Sequence, residues 1–388
     1  MSVIALIVAA GRGERAGQSG PKQYVSLAGE TVLARTIRAI AACKAVDSIQ
    51  CVIHADDHEL YAAAIKSLSP AIKKRLRKPI NGGATRQQSV MAGLSGLTDA
   101  ECKTILIHDA ARPFVSPALI NRVIDAIPLA GAAIPVLPVS DTVKLLADDG
   151  TIISTPDRTT LRAAQTPQGF YFPLILGAHQ AMVDRETTDD ASLVEALGGR
   201  VVPVAGERSN IKLTTPEDFV MAEWALTESL TTMGYDVHAF GEGDHVTLAG
   251  IQIPHTRGIL AHSDGDVILH ALCDAIFGAI GAGDIGQHFP PSDPQWKDAP
   301  SSTFVRYAMK LLREHGGTLV NCDVTLLAEE PRIGPHREAM IENLSKLTGL
   351  SKQRIGLKAT TTEKLGAVGR GEGLVAQVIT TLRIKREA

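Results

Sequence analysis

The chain has 388 residues, more than one hydrophobic core usually organises, so two domains are the starting expectation. A formal net charge of −3, with Lys and Arg scattered, excludes the electrostatic footprint of a general nucleic-acid binder and favours small ligands. Five widely spaced cysteines without a C-x-x-C exclude a disulfide framework and a thiolate metal site, and fit a reducing cytoplasm.

The opening apolar run lacks the basic start of a signal peptide, and no apolar stretch reaches the length of a membrane span. Residues 3–9 read instead as a buried strand feeding a Gly-rich turn. Helical periodicity follows at 31–43, a second central strand at 104–108, and a helix at 116–127 that opens with Ser116 as cap and Pro117 in the first turn. A Thr-Pro-Glu-Asp capping sequence starts a last helix, 215 to about 229. Apolar runs alternating with amphipathic segments predict an α/β nucleotide-binding domain over 1–228, a mostly parallel sheet with helices on both faces. Residues 229–232 are expected to be a short linker. From 233 to 388 the texture changes to Gly-punctuated strands, a long helix at 264–280 and strands at 318–327 and 374–384, which predicts an α+β domain. No internal repeat relates the halves.

In the first half, Ala9-Ala10-Gly11-Arg12-Gly13-Glu14-Arg15 follows the first strand, where backbone N–H groups of a Gly-rich turn can wrap phosphate oxygens. Arg12, Arg15 and Lys22 add cations suited to a triphosphate. No third glycine falls at the dinucleotide-fingerprint spacing. His108-Asp109-Ala110-Ala111-Arg112-Pro113 lies at the carboxyl edge of the second central strand, which makes Asp109 a candidate Mg²⁺ ligand or a helix cap.

In the second half, Asp236 and His238 stand two apart on a strand, so both side chains can reach one ion. The third ligand is open among His262, Asp264, Asp266 and His270. Three N/O ligands and one free position would make a catalytic zinc site. Isolated Asp-x-His pairs are more often surface or capping residues.

The ordered motifs carry the reading further. A-A-G-x-G-x-R with Pro21-Lys22-Gln23-Tyr24, then Gly82-Gly83-x-x-Arg86-x-x-Ser89, H-D-A-A-R-P, Thr166-Pro167-Gln168 and Asn210-Ile211-Lys212 resemble the 2-C-methyl-D-erythritol 4-phosphate cytidylyltransferases. The resemblance implies transfer of CMP from CTP to methylerythritol phosphate. It assigns Arg15 and Lys22 as stabilising cations, Gly11 and Gly13 to the phosphate loop, and Gly82, Arg86 and Ser89 to the nucleoside. Arg112, Arg158 and Lys212 fall to the substrates and Asp109 to Mg²⁺. Ala84-Thr85 departs from the acidic residues common in relatives.

Gly234-Tyr235-Asp236-Val237-His238, A-H-S-D-G-D-V-x-x-H, Gly283-Asp284-Ile285-Gly286, Phe289-Pro290-Pro291-Ser292-Asp293, Thr360-Thr361-Thr362-Glu363 and Gly369-Arg370-Gly371 resemble the 2-C-methyl-D-erythritol 2,4-cyclodiphosphate synthases. Here the resemblance implies closure of a cyclic diphosphate with expulsion of CMP. It assigns Asp236, His238 and His270 to zinc, His262 and Thr361 to transition-state stabilisation, and Glu363 to a Mg²⁺ or Mn²⁺ ion. Ser263, Asp284, Ile285, Gly286, Phe289, Pro290, Pro291, Ser292, Asp293, Thr360, Thr362 and Arg370 are implied to contact substrate, and residues 328–334 the nucleotide. Ala367 replaces a common phenylalanine. A homo-oligomer with three-fold contacts between C-terminal halves is implied, and a separate kinase acting between the two reactions is an expected transient partner.

Overall fold

The structure, a computed structural model, describes residues 2–12, 20–98, 102–183 and 187–386. The chain divides into two compact units, Met1–Glu223 and Trp224–Ala388.

In the first unit, strand β1 (Val3–Ala9) alternates its side chains between two cores. Val3, Ala5, Ile7 and Ala9 face one, and Ile4 and Leu6 the other. A strand covered on both faces must be apolar throughout, which is the run seen in the sequence. With β2 (Ser48–Ile53), β3 (Ile80–Asn81), β4 (Thr104–Asp109), β5 (Ala132–Pro138), β6 (Arg162–Ala164), β7 (Gln168–Tyr171) and β8 (Val202–Ala205) it forms a sheet ordered β6-β5-β7-β4-β1-β2-β3, β8 lying beside β5. The sheet is mixed: β4, β1, β2 and β3 run parallel, whereas β7 is antiparallel to both β4 and β5. Val8 pairs with Asp109, so the Gly-rich turn and the second motif leave the same edge of the sheet.

Helices α1 (Val32–Ala42), α2 (Arg86–Ser95), α3 (Pro117–Ala126), α4 (Phe172–Ala181) and α5 (Ala191–Ala196) cover the sheet, α1 and α3 on one face and α2, α4 and α5 on the other. Caps set several helix starts. Thr31 accepts from the Ala34 N–H, Ser116 from the Leu119 N–H, and Thr85 with Gln88 forms a reciprocal capping box.

Helix α6 (Pro216–Leu226) begins where its capping sequence predicts but stops short of the expected end. The chain goes straight into strand β9 (Thr227–Gly241). The expected linker at 229–232 is therefore strand: Ser229, Leu230, Thr231 and Thr232 pair with Arg383, Leu382, Thr381 and Thr380. β-branched threonines on both sides suit a pleated ladder, and the Thr232 hydroxyl donates to the Ala275 carbonyl at 2.6 Å.

In the second unit, β10 (Gly258–Ile259), β11 (Thr318–Leu327), β12 (Ile355–Thr360) and β13 (Gly373–Lys385) join β9 in the order β10-β9-β13-β11-β12. Helix α7 (Val267–Ala279) packs on β9 and β13 and against α8 (Ser302–Glu314), with α9 (Arg337–Thr348) completing the core. Buried on nearly all sides, α7 is apolar around most of its circumference. Its approach to β9 is set at Gly234, where a Cβ would fall 1.8 Å from the Ala271 carbonyl oxygen. Gly234→Ala is therefore expected to push α7 off β9 and destabilise the second unit by about 3 kcal/mol in urea unfolding. Unaltered stability would show that the helix can retreat freely.

Candidate functional sites

At the carboxyl edge of β1 and β4, a cavity of about 190 Å³ is lined by Gly11, Lys22, Gly83, Thr85, Arg86, Ser89, Asp109 and Lys212, among others. Gln23 pins the start of the Gly-rich turn by donating to the carbonyls of Ala9 and Gly11 at 2.7 and 3.0 Å. Gly82 lies just behind: a Cβ there would sit 2.5 Å from the Ala10 Cβ and 2.7 Å from the Ser89 Oγ.

Asp109 is the electrostatic centre. It is 8% exposed, and Lys212 Nζ, Arg86 Nε and Arg112 Nε stand 2.9, 3.3 and 3.7 Å from its carboxylate. Burial pushes this carboxyl up, but Arg86, Lys212 and Arg112 together more than reverse that and hold it well below the usual carboxylate range. With Asp190, which also pairs with Arg86, two carboxylates meet three cations and leave a net charge of +1, a cradle for a polyanion. The distant motifs converge here. The Thr166 hydroxyl accepts from the Asp109 N–H at 3.1 Å and lies 3.0 Å from His108 Nδ1. Asn210 Nδ2 donates to the Thr166 carbonyl, and the Asn210 carbonyl accepts from Arg112 Nη1, both at 2.8 Å. Arg86 also reaches the buried Asp190 at 2.8 Å, and Asp190 lies 3.1 Å from His179 Nε2. No sequence motif signalled Asp190 or His179.

Not every expected cation faces the cavity. Arg12 is held by Asp56 at 2.6 Å, Asp57 at 3.2 Å and His54 Nδ1 at 2.6 Å, because the turn Ala55–Asp57 concentrates acceptors beside it. It anchors the loop instead of lining the phosphate cradle. Arg158 is exposed, donates to the Ser140 carbonyl at 2.6 Å and does not line the cavity. Gly13 and Arg15 lie outside the described residues.

In the second unit, Asp236 and His238 project from one face of β9 and His270 from the start of α7. Asp236 Oδ2 lies 3.0 Å from His238 Nδ1 and 3.1 Å from His270 Nδ1. Among the described residues this trio alone gathers three metal-capable side chains, with ligand atoms within 4.8 Å of one another. The fit to a metal is chemical as well as geometric. His238 Nδ1 is buried and makes no hydrogen bond despite its closeness to Asp236. Ligand atoms around a tetrahedral zinc stand about 3.3 Å apart, near the spacings here. Burial raises the Asp236 carboxyl, and the neighbouring His238 and His270 draw it down to about 2, so it is an anion ready for a cation.

The four candidates for third ligand take separate tasks. His270 faces Asp236. Asp266 caps α7, accepting from the N–H groups of Ile268 and Leu269 and also from Ala249 and Gly250. Asp264 binds the backbone N–H and hydroxyl of Ser301. His262 lines a cavity of about 330 Å³ with His238, Ser263, His270, Ile285, Gly286, Phe289 and Pro291, joined by Leu260, Trp296 and Phe304, which no motif had indicated. Asp284 and Asp293 instead cap short helical turns, and neither they nor Pro290 and Ser292 line the cavity. Thr360, Thr361, Thr362, Glu363 and Arg370 are also absent from its lining. Thr361 donates to Glu363 at 3.3 Å, and Arg370 pairs with Glu372 at 2.6 Å.

An α/β unit with a cationic phosphate cradle and an α+β unit with a His₂Asp ligand set define an enzyme with two phosphoryl-transfer sites. Residues 3–228 match the family 2-C-methyl-D-erythritol 4-phosphate cytidylyltransferase (IspD), and residues 230–383 match the YgbB family. The bifunctional enzyme IspD/IspF of Nitrobacter hamburgensis is 51% identical over 98% of this chain and 94% of its own. That of Rhodopseudomonas palustris is 50% identical over 98% and 96%. The crystal structure of 4-diphosphocytidyl-2C-methyl-D-erythritol synthase from Anaerococcus prevotii is 32% identical, covers 58% of this chain and 97% of its own, and has a TM-score of 0.51. The chain belongs to the family of bifunctional IspD/IspF enzymes of isoprenoid biosynthesis, with a cytidylyltransferase domain followed by a cyclodiphosphate synthase domain. Among the described residues no helix is long and apolar enough to cross a membrane.

Arg86→Met would leave Asp109 and the buried Asp190 without their shared guanidinium. It is expected to destabilise the first unit by about 3 kcal/mol, read by hydrogen exchange of β1 and β4. Exchange rates equal to the parent's would show that the remaining cations suffice.

Proposed function

We propose that the first site joins CTP to 2-C-methyl-D-erythritol 4-phosphate. A phosphate oxygen of the acceptor attacks the α-phosphorus of CTP, and the bond to the bridging oxygen breaks with release of pyrophosphate. The nucleophile is already ionised, so alignment and charge stabilisation suffice and no general base is required. The convergence of Lys212, Arg86 and Arg112 on Asp109 beneath the Gly-rich turn carries this reading. Lys22 and Arg15 stabilise the transferring phosphate, Gly82, Arg86 and Ser89 hold the nucleoside, and Lys212 binds the acceptor phosphate. Arg158 shares that last role from a second copy of the chain, consistent with its distance from the cavity of its own unit. Asp109 would hold Mg²⁺ arriving with the triphosphate, which would neutralise phosphate charge there.

The second site closes 4-diphosphocytidyl-2-C-methyl-D-erythritol 2-phosphate to the 2,4-cyclodiphosphate. The 2-phosphate attacks the β-phosphorus, and the bond to CMP breaks. Asp236, His238 and His270 hold zinc, and Glu363 holds Mg²⁺ or Mn²⁺. The bound metals supply polarisation of phosphoryl oxygens and neutralisation of charge. His262 and Thr361 orient and stabilise the phosphates, and Phe289, Trp296 and Phe304 exclude water from one wall. Thr361, Glu363 and Arg370 lie outside the metal-site cavity of their own chain, which favours a three-fold assembly in which a neighbouring copy supplies the cytidine pocket. A separate cytoplasmic kinase must phosphorylate the first product before the second site can use it, and a transient contact with that kinase belongs to this proposal.

Two measurements test these assignments. With CTP, Mg²⁺ and methylerythritol phosphate, the protein is expected to release pyrophosphate, and Lys212→Met to lower kcat/KM about 100-fold. Turnover on a different phosphorylated acceptor alone would replace the acceptor named here. His262→Ala is expected to keep its zinc and lose CMP release; retained CMP release would remove His262 from the chemistry.

A further inference from the structure

The two ring nitrogens of His270 meet different surroundings. Nδ1 faces Asp236 Oδ2 at 3.1 Å, whereas Nε2 lies 2.9 Å from Ser301 Oγ and 3.1 Å from Ser263 Oγ. The protons can be counted at Ser301. Its backbone N–H donates to Asp264 Oδ2 at 3.0 Å, and its hydroxyl donates to Asp264 Oδ1 in a short bond. A hydroxyl has one proton and an ionised carboxylate only accepts, so Ser301 Oγ can meet His270 only as an acceptor. Nε2 must then carry the hydrogen. Ser263 Oγ, which accepts from the Gly265 N–H at 3.2 Å, offers that hydrogen a second acceptor.

In the neutral imidazole that a metal ligand must be, a hydrogen on Nε2 leaves Nδ1 unprotonated, with its lone pair directed at a carboxylate oxygen. Two acceptors at that distance repel unless a cation lies with them.

Ser301 carries an independent mark of this task. It occupies the N-cap position of α8, where a serine ordinarily caps the helix with its side chain, yet its side chain makes no capping bond. It is fully buried. The turn before it is braced against the histidine segment: the Asp264 N–H donates to the Ala299 carbonyl at 3.2 Å, and the Asp298 N–H to the His262 carbonyl at 2.8 Å.

We propose that Asp264 and Ser301 are positioning residues for the metal site, a carboxylate–hydroxyl–imidazole relay that fixes the tautomer and ring orientation of His270 and thereby sets metal affinity. The inference rests on the zinc reading above. Hydrogen bonds of this kind behind a ligating histidine raise its basicity and remove its rotational freedom.

The test uses the full chain and zinc itself. In competition with a chromogenic chelator, Ser301→Ala is expected to bind zinc about 10- to 100-fold more weakly than the parent. Saturating zinc should then restore the parent's kcat for CMP release with KM for the nucleotide substrate unchanged. Equal zinc affinity, or a kcat deficit that excess zinc leaves in place, overturns the relay. A second measurement needs no variant: in the metal-free parent with ¹⁵N-labelled histidine, Nε2 of His270 is expected to carry a hydrogen, and an unprotonated Nε2 overturns the inference. A folded parent that takes up no zinc would overturn the zinc reading, and the tautomer measurement would still judge the relay on its own.

Discussion

The trio of Asp236, His238 and His270 comes together because a helix and a strand lie closer than side chains normally allow. β9 supplies Asp236 and His238, α7 supplies His270, and the contact between them is made where Gly234 offers no side chain to the Ala271 carbonyl. Thr232 ties the same strand to the same helix through the Ala275 carbonyl. Every later feature of the second site inherits this spacing. The imidazole of His270 reaches Asp236 in front and Ser301 behind, so a retreat of α7 would loosen both shells together.

The first unit solves a different problem. Its central group is a single buried carboxylate, and the constraint there is charge balance. Asp109 is tolerable in the sheet edge because Arg86, Lys212 and Arg112 surround it, and the two arginines are in turn held by Asp190 and the Asn210 carbonyl respectively. The surplus of positive charge prepares the pocket for a polyanion. The two units thus reach related chemistry from opposite deficits: one lacks an anion and the other a cation.

Much of this was legible in the sequence, for identifiable reasons. The ends of α1 and α3 were readable because Thr31 and Ser116 cap them through their own side chains. The continuous apolar run of β1 announced burial on both faces. The expected linker failed because a change in texture at 229–232 was taken for a break, whereas those residues owe their conformation to β13, some 150 positions away in sequence. The same distinction separates the site residues. Asp236 and His238 were visible through their local two-residue spacing, whereas spacing left the third ligand open among four residues; the family resemblance named His270, and packing places it opposite Asp236. Ser301 carried no signal in the sequence, and nothing local reveals that its hydroxyl turns away from the helix it precedes. Asp190 and Trp296 likewise act through tertiary neighbours.

The placement of the tryptophans has a practical consequence. The chain has two: Trp224 lies in α6, within the stretch that matches the cytidylyltransferase family, and Trp296 lies in the second unit. Trp224 is largely exposed, whereas Trp296 packs edge-on against Phe289 in the wall of the metal-site cavity. The indole emission of this bifunctional chain therefore has one exposed source and one half-buried source. Of the two, Trp296 stands in the wall of the cavity that His238 and His270 line, and neither lines the cavity around Asp109. A ligand titration followed by tryptophan fluorescence can report occupancy of the second site even with both substrates in solution.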